Sequence, residues 1–246
     1  MLSLLIGPII SSRVGLEGVF WTIALLSLLA MLIVISLEHS KPIAYYKLSF
    51  KSLKESLTKE LITLDVSIFS LHLILAAGFI VMPILIVENQ IVSMIDNWHL
   101  YLPAIFLSFL GMIPLIVVSE KFNKTKYILL LCILLLIVSQ FVFLNASLNF
   151  QIFLITLTIF FIAFNSIEAL LPSLLSRTAD AAKRGLAMGI FSTSQFLGTF
   201  FGGAIGGLIY DIYDLNSVFL FTIFVALIWL ILILLMPLKT ITLKER

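Results

Sequence analysis

Residues 185–207 read Gly185-Leu-Ala-Met-Gly189-Ile-Phe-Ser-Thr-Ser-Gln195-Phe-Leu-Gly198-Thr-Phe-Phe-Gly202-Gly203-Ala-Ile-Gly206-Gly207. Gly198, Gly202 and Gly206 recur every four residues, and so do Gly203 and Gly207. In an apolar helix this small-xxx-small ladder lets a second helix backbone approach closely inside a bilayer. Seven of the chain's twelve glycines fall in this one segment, so the ladder is a helix-packing surface. Ser192, Gln195 and Thr199 share another face. They serve either as polar contacts to a cavity or as hydrogen bonds between helices.

The rest of the chain agrees with a membrane setting. Of 246 residues 61% are hydrophobic and 11% charged, with a mean hydropathy of +1.21. Soluble domains carry about 45–50% apolar and about 25% charged residues, so too little polar surface is left to cover a water-soluble core. Cytosolic enzymes, disordered tails and nucleic-acid-binding domains are excluded on this ground. The single cysteine, Cys132, allows no intrachain disulfide, no Cys/His spacing suits a metal, and nothing calls for a cofactor. The chain is an all-α integral membrane protein, with the lipid bilayer as its first partner.

Spanning about 30 Å of hydrocarbon takes about 20 apolar residues. Seven stretches qualify: residues 18–37, 61–87, 100–118, 127–144, 150–171, 185–210 and 217–237. Residues 1–10 are apolar but too short to span. They also lack the basic start and cleavage site of a signal peptide. The runs do not alternate, which favours helices over a barrel. Lys41, Lys47, Lys51, Lys54 and Lys59, then Lys121, Lys124 and Lys126, then Arg177, Lys183 and Arg184, and finally Lys239, Lys244 and Arg246 all fall on one side, with Arg13 the lone exception. The positive-inside rule makes that side cytoplasmic, together with the C-terminus of a multi-pass protein. Residues 38–60 form the one long connection. It is a basic amphipathic stretch that lies on the inner leaflet or simply enforces topology.

Ionisable groups within spans are costly, so each is a functional candidate. His72 lies about twelve residues into the second span, near the midplane, where an imidazole either responds to protons or bonds a neighbouring helix in its neutral form. Glu168 shares a helix face with Asn165 and Pro172. It lines a polar cavity for a cation or proton, or pairs with Arg177 or Arg184 near the interface. Asp65 reads as an interfacial helix-start residue. No Lys or Arg sits within a span, which excludes a retinal-type Schiff base and a voltage sensor. Pro83, Pro103 and Pro114 interrupt or start helices, and broken helices beside sparse buried polar groups suit a transporter. No enzyme motif is present, and the Asn123 and Asn145 sequons carry no necessary meaning.

Gly7-Pro8, followed by Gly15-Leu-Glu-Gly18-Val-Phe20-Trp21, resembles the end of helix five and start of helix six in major facilitator antiporters. Glu168-Ala-Leu-Leu-Pro172-Ser and Lys183-Arg-Gly185-x-Ala-Met-Gly189-Ile-Phe-Ser-Thr-Ser-Gln195-Phe-Leu-Gly198 resemble helices ten and eleven of the multidrug (drug:H⁺ antiporter) type, within it the YajR-like branch. The connection at 119–126 lacks the Gly-Arg-Arg character of that family's loop motif. The resemblance implies a major facilitator-type fold, present as a C-terminal six-helix bundle (61–238) and one preceding transmembrane helix. Residues 1–37 would be a remnant of the N-terminal bundle, 38–60 a linker and 239–246 a cytoplasmic tail. It further implies proton-coupled export of small amphipathic compounds across a cell inner membrane, with substrate, protons and the missing N-terminal bundle as partners. The alternative is a non-transporting membrane protein: a gene remnant, or one subunit of a split transporter.

Overall fold

A computed structural model describes residues 2–36, 58–91, 98–144 and 149–235. Most of the 38–60 linker and the whole 239–246 tail lie outside the described residues. Seven helices follow in order: α1 (Leu2–Ser36), α2 (Lys59–Glu88), α3 (Trp98–Lys121), α4 (Thr125–Phe143), α5 (Phe150–Thr178), α6 (Arg184–Ile212) and α7 (Leu215–Leu235). No strand occurs among the described residues. Six of the seven are long and apolar enough to cross a membrane. The exception is α6, whose glycines, Ser192, Thr193, Ser194 and Gln195 dilute its hydropathy. Its 29 residues would still reach about 43 Å at 1.5 Å each, and it packs along α2.

Within α1 the chain forms two helical segments, residues 2–14 and 16–36, so the short apolar stretch stands apart from the span that follows it. The break between the two falls at Gly15, whose φ of 77° and ψ of −178° are not helical. A side chain is strained at that φ. Gly15→Ala should therefore straighten or destabilise this junction by about 1 kcal/mol, visible as altered protease protection of α1. Beyond the break, α1 is exposed almost throughout, with Phe20 and Trp21 both open, and its main helix contact is with α3.

The other six helices form one body. Helix α2 is central, packing against α6, α7 and α5, while α5 packs against α3 and α4. Thr58 caps α2 by accepting from the Leu61 N–H, and Asn149 caps α5 through Ile152. Phe143 of α4 meets Phe153 of α5 and Phe219 of α7 at centroid distances of 5.2 and 5.7 Å, tying three helices at one end. Trp229 of α7 is fully buried and donates its indole N–H to Ser67 Oγ of α2 at 3.0 Å.

At the basic end, Arg177 of α5 donates to Glu120 of α3 at 2.7 Å, with both side chains partly exposed. Such pairs contribute little, so Arg177→Ala should cost under about 1 kcal/mol, and less still in high salt. At the opposite end Asp214 accepts from the Ser217 N–H and hydroxyl at 2.7 and 2.6 Å, capping α7. Those bonds hold its carboxyl below the ordinary value of 3.8. The cap therefore contributes at neutral pH and is lost as pH falls through the lowered value. Asp214→Asn should flatten the acid limb of a stability-versus-pH curve.

Asp65 does not start its helix but lies in the second turn. Helix α2 begins six residues earlier at Lys59, and Asp65 is packed among its neighbours at 8% exposure, its Oδ1 without a hydrogen-bond partner.

Candidate functional site

The glycine ladder sets the site. A methyl on Gly198 would land on the Phe69 carbonyl of α2, one on Gly202 on the Leu73 carbonyl, and one on Gly206 within 2.9 Å of the Ala77 Cα. Contacts advance four residues at a time on both helices, so α2 and α6 run parallel with backbones in contact. Gly203 and Gly207 sit off this seam. A methyl on Gly203 meets nothing within 4 Å, and one on Gly207 meets only the tip of Ile80 at 3.8 Å. Five glycines in the sequence thus reduce to three that pack, because helical twist carries each following glycine out of the contact line.

One turn before Gly198, the same seam brings Gln195 to His72. Gln195 Nε2 lies 2.9 Å from His72 Nε2 and donates to Glu168 Oε1 at 3.3 Å. His72 Nδ1 lies 3.2 Å from the Ile68 carbonyl. A carbonyl can only accept, so Nδ1 carries the hydrogen and Nε2 accepts from Gln195. The second oxygen of Glu168, Oε2, is buried without a hydrogen-bond partner, 3.6 Å from His72 Nε2. Phe164 packs against the imidazole at 5.6 Å between centroids. Glu168 is the open member of the cluster, its side chain 37% exposed against 10% for His72.

Three helices therefore place an imidazole, an amide and a carboxylate in mutual contact. Among the described residues none of the three side chains has an Arg or Lys partner. The pairing of Glu168 with Arg177 is not formed: Arg177 is nine residues on, about 13 Å along α5, and holds Glu120 instead. Asn165 does not join the cluster. Its side chain donates to Ser108 of α3 at 2.9 Å, and Ser108 donates to the Ile105 carbonyl, so Asn165 links α5 to α3. Ser192 is exposed on α6, one turn from Gln195 on its basic-end side. Ser108 and Phe164 were not anticipated: a serine and a phenylalanine within apolar runs carry no sequence signal of their own. Among the described residues no group of His, Cys, Asp and Glu could hold a metal ion.

This bundle and its seam are those of a multi-pass helical membrane protein. The sequence model described as Major Facilitator Superfamily matches residues 64–245, and the chain belongs to that family. It is 32% identical over 93% of its length to an inner membrane transport protein, YajR, of Escherichia coli (strain K12), covering 51% of that protein. It is 36% identical over 82% of its length to an uncharacterized transporter of Buchnera aphidicola subsp. Acyrthosiphon pisum (strain APS), covering 53% of it. A second uncharacterized transporter, from Buchnera aphidicola subsp. Schizaphis graminum (strain Sg), is 34% identical with 60% covered. The chain spans about half the length of the curated relatives it matches.

Proposed function

We propose that this chain forms the second bundle, with one preceding helix, of a secondary transporter. The complete assembly exports small amphipathic compounds across an inner membrane in exchange for protons. Glu168, His72 and Gln195 form the site at which proton and substrate compete, with the basic end of the bundle and the C-terminus facing the cytoplasm. The observation that carries this reading is the Oε2 of Glu168, buried without a hydrogen-bond partner 3.6 Å from His72 Nε2 within a bundle of membrane-spanning length. A carboxylate there is tolerable when it is neutralised by a proton or by a bound cation, and one neutralising partner excludes the other. That exclusion is the requirement for exchange. Exposed Ser192 and Thr199 extend the polar face of α6 beside it.

Alternating access needs an opposing wall, so the 246-residue chain alone should not transport. The test uses vesicles containing this chain joined to or co-expressed with an N-terminal bundle, a trapped pH dye, and ethidium as the probe cation. Proton movement on adding ethidium, absent from vesicles with this chain alone, is the expected result. Movement by this chain alone, or none in the two-bundle vesicles, would overturn the proposal.

A further inference from the structure

Gln195 spends its one side-chain nitrogen on two acceptors, His72 Nε2 at 2.9 Å and Glu168 Oε1 at 3.3 Å. The opposite amide orientation is disfavoured, because it would turn a carbonyl oxygen toward the carboxylate. A proton that enters the cluster has two places to settle. On His72 Nε2 it would create an N–H facing the Gln195 N–H at 2.9 Å, donor against donor, with Glu168 Oε2 at 3.6 Å beyond hydrogen-bond reach, unless the amide turned over and released Glu168. On Glu168 Oε2 it meets an atom with no partner to displace.

We infer that Gln195 is a positioning residue that keeps His72 neutral and directs the incoming proton to Glu168 Oε2. This rests on the proton-site reading proposed above. The step is a simple proton transfer: hydronium gives up the proton and leaves as water, the Glu168 carboxylate becomes the neutral acid, and no heavy-atom bond changes. Among the described residues the other charged groups of α2, α5, α6 and α7 lie away from the cluster. On α2, Asp65 is two turns away, about 10.5 Å along the helix. On α5, Arg177 is occupied by Glu120. On α6, Lys183 and Arg184 lie eleven or more residues before Gln195, and α7 has no titratable side chain from Leu215 to Leu235.

The test is the ring ¹⁵N spectrum of His72 against pH, on the full chain in lipid nanodiscs. Carboxyl ¹³C labelling reports Glu168 in parallel. Three histidines are present, so the His72→Asn spectrum assigns the signal. In the wild type, the Nδ1–H neutral form should persist through the pH range in which the Glu168 carboxyl protonates. In Gln195→Leu the ratio of imidazolium to neutral ring at fixed pH should rise about tenfold, the worth of one hydrogen bond to the neutral form. In Gln195→Glu it should rise further, since a carboxylate offers Nε2–H an acceptor. Two results overturn the inference: a wild-type ring that charges before Glu168, or variants that both titrate as the wild type does. Should Gln195→Leu not fold, the wild type and Gln195→Glu still decide. If these spectra behave as expected while ethidium moves no protons, positioning by Gln195 stands and the transport reading fails.

Discussion

Gly202→Leu should cost the bundle about 3 kcal/mol or more, lowering the thermal midpoint by about 6–12 °C. The first atom of any side chain at this position falls on the Leu73 carbonyl, with the Leu73 Cα at 2.8 Å and its carbonyl carbon at 2.9 Å. These are backbone atoms of a helix buried on three sides, and they cannot rotate away as a side chain would. Relief requires separating α6 from α2, which also pulls Gln195 from His72. The same argument makes Gly203→Ala a sharp control, because its methyl meets nothing within 4 Å. Its midpoint should stay level or rise slightly, since alanine favours a helix over glycine. A fluorescence melting curve in detergent separates the two.

Glu168→Gln should abolish proton-coupled exchange in the two-bundle protein, with a loss of at least about 100-fold, while leaving the fold intact. Glutamine keeps the size of the side chain and can still bond the Gln195 amide, so α5, α2 and α6 stay joined. What it removes is the charge that a proton or a cationic substrate must neutralise in the membrane. Binding of a cation should weaken along with coupling, since both use the same oxygen. His72→Asn should act differently, loosening the seam while retaining the carboxylate. Dye release in vesicles, read beside the melting curve, distinguishes loss of chemistry from loss of structure.

Much of the architecture can be read from patterns local to each helix. Long apolar runs, the Lys/Arg asymmetry and the four-residue glycine repeat report on short windows, and helix formation in a bilayer is itself local. Which glycines face α2 is less legible, because Gly202 and Gly203 are equally small and only the packing direction separates them. The site is legible as residues and illegible as contacts. His72, Glu168 and Gln195 stand out because polar groups are rare in spans. Their meeting depends on a parallel α2–α6 seam that joins positions 123 residues apart. Partner choice fails for the same reason: Arg177 lies nearer Glu168 in sequence, yet Glu120 on another helix takes it. Asn165 shows the converse, a polar residue of the right kind turned toward Ser108.

Exchange of a proton for substrate at Glu168 is tested most directly by the infrared difference spectrum of the two-bundle protein on adding ethidium. Loss of one protonated-carboxyl band on binding, absent from Glu168→Gln, is the predicted result. A band that persists unchanged in Glu168→Gln, or no carboxyl band at all in the wild type, would contradict the assignment of proton exchange to this site.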